Sequence, residues 1–283
     1  METKHALITG GSSGIGLALA HRLAAEGYNI SIIARREAVL ASAAAEISKY
    51  FTRENQRVFI FSADLADAKR AESAVKACVT ALGVPELVVT SAGIAVPGYF
   101  EELPLDAFER SMAINYFGSL YVVRAVLPAM RARKRGRIVL VSSGAGLMGI
   151  FGYATYSPTK FALRGLAEGL RAEVKVDNIG ISIVYPPDTE TPMLVEENKT
   201  KPEETKLMTS LVKPWTAQAV ADCIVRGIHA GKFAITPGLT ITLMNRTPGI
   251  MLPLLHWYCD RLAEGVKRKR PTREARSASA SRA

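Results

Sequence analysis

At 283 residues and 48% hydrophobic content, the chain is long enough to bury the core of one large α/β domain with a C-terminal appendage. Its three cysteines, Cys78, Cys223 and Cys259, are widely spaced and odd in number; this argues against a disulfide framework or a cysteine metal site and suits a reducing compartment. The net charge of +10 is concentrated at one end, where residues 261–283 hold eight Lys or Arg against two Glu; with no aromatic platform there, the excess points to a solvated tail or an anionic lipid surface rather than nucleic acid.

Residues 5–10 read as a buried strand, with apolar residues starting at Ala6, so the pattern predicts no secretory leader. The strand runs into Thr9-Gly10-Gly11-Ser12-Ser13-Gly14-Ile15-Gly16, and a helix is expected over about 14–26, stopping at Gly27. Glycines at a strand-to-helix turn let the backbone approach a pyrophosphate whose charge sits at the helix N-terminus, so Gly10, Ser12, Ser13, Gly14, Ile15 and Gly16 are candidates to hold a dinucleotide. The second strand, 29–34, ends in Arg35-Arg36 with no carboxylate before Glu37. Arginine there suits the 2′-phosphate of NADPH, where an acidic residue would suit NAD.

A long Ala-rich helix is expected over about 37–53, and a third strand near 57–62 ends in Ala63-Asp64-Leu65. Asp64, with Leu65 beside it, is placed to meet an adenine or to cap the next helix, about 67–82. A fourth strand, 86–90, leads to Ser91-Ala92-Gly93; a long helix around Asn115 and a fifth strand, 137–141, ending at Ser142-Ser143, follow. The next helix carries Tyr156 and Lys160 and runs to about Val176. Four residues apart on a helix, the two lie on one face, where the ammonium favours ionisation of the phenol. Tyr153 has no lysine at that spacing and reads as a pocket wall. The sixth strand, 179–185, ends in Pro186-Pro187-Asp188-Thr189-Glu190-Thr191. Strict β-α alternation predicts a doubly wound parallel sheet, with the candidates gathered at the strands' C-terminal ends.

The polar stretch 192–213 reads as a lid or as a plain surface insertion. In 233–259, two apolar stretches are split by Asn245-Arg246 and interrupted by Pro248, Gly249 and Pro253. Each falls short of the ~20 residues that span a bilayer. One reading is an interfacial patch with Trp257 and Tyr258 at its edge; the other is a seventh strand followed by a segment packed on the domain or a partner.

A site that turns a ketone into an alcohol needs a proton donor and a second hydrogen bond for the oxygen that gains charge. Tyr156 suits the first and Ser143 the second, with Lys160 to stabilise the phenolate and hold the nicotinamide ribose, and Asn115 to hold the backbone and a water. Thr9-Gly10 through Gly16, Ala92-Gly93, Asn115, Ser143, Tyr156 and Lys160 together resemble the short-chain dehydrogenases/reductases over about residues 4–232. The resemblance implies a Rossmann-type fold, NADPH/NADP+ as cofactor, Tyr156 as the acid/base, and Ala92, Gly93, Pro186, Thr189 and Thr191 on the cofactor side. One departure is Thr90-Ser91, where the family usually places Asn before Ala-Gly.

Within that family, 155–168, the Pro186-Pro187-Asp188-Thr189 run and Lys201-Pro202-Glu203-Glu204-Thr205 resemble the ketosphinganine reductases. This implies a long-chain sphingoid ketone as substrate, with another ketone such as a 3-oxoacyl thioester as the alternative. A non-catalytic NADPH-binding sensor is the reading from another class, and the presence of all four site residues weighs against it. Asp188 and Glu190 are candidates to meet the substrate's ammonium. The resemblance also implies pairing through helices near 107–131 and 156–176, as a homodimer or homotetramer. The resulting division is a reductase domain over 1–232 with a lid at 188–214, an apolar segment at 233–260, and a basic tail at 261–283. The expected location is cytoplasmic, peripheral on the cytoplasmic face of a membrane.

Overall fold

The computed structural model describes residues 4–210 and 213–269. Its main sheet has seven parallel strands: β1 (His5–Thr9), β2 (Asn29–Ala34), β3 (Val58–Ser62), β4 (Leu87–Thr90), β5 (Gly136–Val141), β6 (Ile179–Val184) and β9 (Ala234–Ile235), in the order β3-β2-β1-β4-β5-β6-β9. Two-residue strands β7 (Thr189–Glu190) and β8 (Trp215–Thr216) pair separately.

The strands read as continuous apolar runs because both faces are covered. Alternation still sorts the side chains. Leu7, Ile33, Val88, Ile138 and Leu140 join a core on one face, while Ala6, Ile8, Ile30, Ile32, Val89 and Val139 join the core on the other. Helices α1 (Gly14–Ala25), α2 (Glu37–Ser48) and α9 (Ala217–His229) cover the second face. The first is covered by α3 (Ala68–Leu82), α5 (Gly118–Arg133) and α6 (Ser157–Val174). Strand order reverses between β1 and β4, which opens a crevice beyond their carboxyl ends.

Several expectations are corrected in detail. The helix expected over 37–53 stops at Ser48, because the buried Gln56 side chain gathers the following turn. Its Oε1 accepts from the Thr52 and Arg53 N–H groups, and its Nε2 donates to the Ala24 and Tyr28 carbonyls. The long helix around Asn115 is α4 (Leu105–Met112), a π-turn over Ala113–Phe117, and then α5. Asp64 does not cap α3; Asp67 does, accepting from Lys69 and Arg70 N–H groups.

The excursion after β6 is helical. It comprises α7 (Pro192–Thr200) and α8 (Glu203–Thr209), tied back by β7 and β8. The C-terminal apolar segment begins as β9, beside β6, and continues as α10 (Leu239–Arg246) and α11 (Pro248–Lys269). Ile241 and Met244 enter the core, and Leu252, Leu255 and Cys259 pack against it. Among the described residues, no helix is long and apolar enough to cross a membrane. The basic tail from residue 270 onward lies outside the described residues.

Candidate active site

The crevice forms two adjoining clefts that share Gly10, Ser13, Ala92 and Gly93. The first is lined by Gly14, Ile15, Ser143, Tyr156, Lys160, Pro186, Thr189 and Thr191. The second is lined by Ser12, Arg35, Arg36, Asp64 and Leu65. Gly16 sits behind the lining, in the first turn of α1. Asn115 is fully buried beneath the wall. All the residues singled out in the sequence as cofactor or reaction candidates therefore gather around one trough.

Glycine is required at two points of its floor. Gly10 has φ +66°, and a Cβ there would stand 2.8 Å from the Ala92 nitrogen. A Cβ on Gly16 would collide with the Gly10 carbonyl oxygen. The exposed Arg35 and Arg36 guanidinium-bearing side chains follow β2 at the far end. The floor of backbone N–H groups at the start of α1, with two arginines beyond it, fits a dinucleotide bearing a 2′-phosphate. Asp64 accepts from the Ala66 N–H at 3.1 Å in a local turn and presents its carboxylate at this end.

Thr90-Ser91 is accommodated by a different brace. The buried Thr9 hydroxyl accepts from the N–H groups of Ser91 and Ala92, each at 3.2 Å, and so holds the turn from the neighbouring strand.

At the other end, Tyr156 is half-buried and immediately precedes α6, while Lys160 lies in that helix's first turn. The Lys160 N–H donates to the Tyr156 carbonyl at 3.3 Å, so the pair spans one turn although Tyr156 is not itself in the helix. Lys160 Nζ lies 5.3 Å from the Tyr156 ring centre and donates to the Val141 carbonyl at 3.1 Å. Burial lowers the Lys160 ammonium to about 8, with Glu197 opposing the shift.

The phenol of Tyr156 moves the opposite way from the sequence expectation. Burial raises its pKa, and the negative charge of Glu197 raises it further, while the hydrogen bond with Ser143 pulls it down. Ahead of any cofactor, the site keeps Tyr156 protonated. Ser143 ends the loop from β5, and its Oγ accepts from the Ala145 N–H at 3.1 Å. Asn115 presents its side chain from the π-turn. Its Oδ1 accepts from the Ile94 N–H at 2.8 Å, and its Nδ2 donates to the Ile94 carbonyl at 2.9 Å and to Thr159 Oγ1 at 3.0 Å.

Residues 4–202 match the sequence profile described as short chain dehydrogenase. The chain belongs to the short-chain dehydrogenase family. It is 44% identical over 235 residues to a 3-dehydrosphinganine reductase of Danio rerio, covering 83% of this chain and 71% of that one. It is also 44% identical over 230 residues to a 3-ketodihydrosphingosine reductase of Bos taurus, covering 81% and 69%. Among solved structures, an actinorhodin polyketide ketoreductase variant with NADPH superposes with a TM-score of 0.75 at 26% identity, covering 83% of this chain and 95% of that one.

One residue of this short-chain dehydrogenase's cleft was not among the sequence candidates. Glu197, from α7, is 9% exposed and lines the same cleft as Tyr156. The Tyr153 hydroxyl donates to its Oε2 at 2.6 Å. Glu190 is exposed, and Asp188 pairs with Lys201 at 3.5 Å. The sequence signal for Glu197 is faint: a Glu four residues before a Lys, in a stretch rich in Lys and Glu.

Proposed function

We propose that this protein reduces 3-ketodihydrosphingosine (3-dehydrosphinganine) to sphinganine, with NADPH as reductant and Tyr156 as proton donor. The observation that carries the reading is the convergence of Ser143, Tyr156 and Lys160 at one end of a trough whose other end holds Arg35 and Arg36. The 44% identity to proteins named for that reaction, over most of the chain, supports the substrate class. The enzyme is an NADP-dependent oxidoreductase.

Bound NADPH supplies the hydride. The chain's own residues do the rest. Ser143 Oγ donates to the substrate's carbonyl oxygen, which gains negative charge as the carbonyl carbon is reduced. Tyr156 delivers its phenolic proton to that oxygen; positioned proton transfer is worth roughly 10²–10⁴-fold in rate. The buried Lys160 ammonium offsets the charge left on the phenolate and is placed to hold the nicotinamide ribose. Asn115 anchors the Ile94 backbone and Thr159 in the first turn of α6, which fixes the wall on which Lys160 stands. Gly10, Ser12, Ser13, Gly14 and Ile15 hold the pyrophosphate end.

The same reading extends to the surface. Leu239, Leu243, Ile250, Leu254 and Trp257 are exposed along α10 and α11, with the Arg261 guanidinium 5.5 Å from the Trp257 ring. On α11, positions 250, 254 and 257 share one face. An apolar face bordered by cations suits peripheral contact with an anionic membrane, the source of a long-chain substrate. The exposed Phe117 and Phe161, on the π-turn and α6, suit pairing of two subunits through that side.

The test is NADPH oxidation by the purified protein with 3-ketodihydrosphingosine in mixed micelles, beside a 3-oxoacyl thioester and with NADH as control. Turnover favouring the sphingoid ketone and NADPH is expected. Turnover of the thioester alone would replace the substrate assignment.

A further inference from the structure

The proposed substrate carries its ammonium on the carbon next to the ketone. With the carbonyl oxygen at Ser143 and Tyr156, that nitrogen can lie only about 3 Å from the oxygen, by bond lengths and angles alone. Whatever recognises it must therefore stand in the wall beside Tyr156. Tyr153 and the two carboxylates of the cleft, Asp188 and Glu197, line it together with Tyr156 and Ser143. The rings of Tyr153 and Tyr156 are 5.7 Å apart, and the Tyr153 hydroxyl holds Glu197 Oε2 at 2.6 Å.

We propose that Glu197, oriented by Tyr153 and Lys201, is the residue that selects a 2-amino ketone over a neutral ketone in this active site. The inference rests on the sphingoid-ketone reading above. Lys201 has a side chain only 1% exposed, with its Nζ 3.7 Å from Glu197, 3.5 Å from Asp188 and 5.8 Å from the Tyr153 ring centre. Two carboxylates share the Lys201 ammonium, so Glu197 has no cation of its own; burial pushes its carboxyl up, while the Tyr153 hydrogen bond and Lys201 oppose that shift and favour the charged form. Lys160, the other buried ammonium, donates to the Val141 carbonyl and interacts with Glu197 only through the field. A cation entering the cleft completes the pairing.

A scaffold role alone does not explain a carboxylate here. Glutamine would accept the Tyr153 hydrogen bond, and Asp188 alone would balance the buried Lys201 ammonium, so the scaffold calls for one carboxylate where the wall holds two. Asp188, the partner expected from the sequence, has a side chain 36% exposed and positions Lys201. Glu190, the other, is exposed and does not line the cleft.

The experiment compares the 2-amino-3-ketone with a long-chain 3-ketone of equal length that lacks the amine, using the wild-type enzyme, Glu197→Gln and Glu197→Asp. The kcat/KM preference for the amine is expected to fall at least tenfold in Glu197→Gln, mainly through KM, and to be partly restored in Glu197→Asp. Equal losses on both ketones would overturn the proposal. Should Glu197→Gln fail to fold, the wild-type enzyme decides: a saturated long-chain amine should compete with substrate at least tenfold more tightly than the alcohol of equal length, and equal inhibition overturns the proposal. Two failures are separable. A wild-type enzyme that reduces the sphingoid ketone without preferring it to the neutral one refutes the Glu197 assignment alone. One that does not reduce it at all refutes the substrate reading as well.

Discussion

Individual side chains in the trough have their ionisation set by what surrounds them. Burial and the nearby Glu197 carboxylate hold the Tyr156 proton on, while burial pushes the Lys160 ammonium down to about 8. A phenol that keeps its proton until charge develops on the substrate oxygen suits reduction, because the acid form is the one present when it is needed. At the far end, Arg35 and Arg36 are exposed, and no carboxylate follows β2 before Glu37. A charge-assisted hydrogen bond is worth about 1.5–3 kcal/mol. Arg35→Ala should therefore lower the kcat/KM preference for NADPH over NADH at least about tenfold in steady-state kinetics; an unchanged preference would assign the 2′-phosphate to other residues.

At the scale of elements, the sequence made most of the scaffold legible, and its omissions have physical causes. Apolar runs such as 29–34, bounded by Gly27 and Arg35, can only be buried strands in a chain that alternates this regularly. The π-turn at Ala113–Phe117 carries no local mark, because its extra residue is set by the contacts Asn115 makes with Ile94 and Thr159. Glu197 escapes the sequence because its hydrogen bond comes from Tyr153, far away in the chain, and its i,i+4 spacing to Lys201 is one that exposed helices share. Removing the Asn115 side chain should strip three hydrogen bonds from this joint. Asn115→Ala is predicted to lose about 1–3 kcal/mol of stability in urea unfolding, the cost of stranding buried backbone groups; a variant as stable as wild type would contradict the anchoring role.

Strand β1 has its own pH dependence. His5 is 2% exposed, with one ring nitrogen 2.7 Å from the Gly83 carbonyl and the other 2.9 Å from Ser31 Oγ. Burial lowers its pKa to about 4, with the Gly83 hydrogen bond opposing. The neutral ring is the folded form. Its stabilising effect is complete above the unfolded value near 6.5 and is lost as pH falls toward about 4, an effect on the order of 3 kcal/mol. Urea midpoints should fall over that window, and His5→Asn should flatten the fall; an identical slope in the variant would place the acid sensitivity elsewhere.

Across the whole molecule, one continuous architecture runs from cofactor trough to surface. The sheet's order reversal between β1 and β4 opens the trough, α7 and α8 roof it, and α11 packs against α8 while exposing Ile250, Leu254 and Trp257 outward. The 233–259 segment follows the second sequence reading, a strand in the sheet and then helices packed on the domain, with one face of those helices left free. The run was hard to read because Pro248, Gly249 and Pro253 look like helix breakers. Pro248 in fact opens α11, where its missing N–H costs nothing, and Pro253 forfeits one hydrogen bond within a helix of 22 residues. Fully burying one such apolar side chain is worth about 1.5–3 kcal/mol. The double variant Leu254→Glu with Trp257→Glu should therefore weaken sedimentation with anionic vesicles at least about tenfold, and undiminished binding would remove this face from the account.

Tyr156, NADPH and the sphingoid ketone meet in one reaction, and isotope transfer follows all three. With NADPH deuterated at the transferring position, and wild type and Tyr156→Phe side by side, mass spectrometry of the product should find sphinganine carrying one deuterium on the former ketone carbon from wild type, and a rate at least about 100-fold lower from the variant, with NADPH still bound. Unlabelled product, or equal rates from the two proteins, would rule this reaction out.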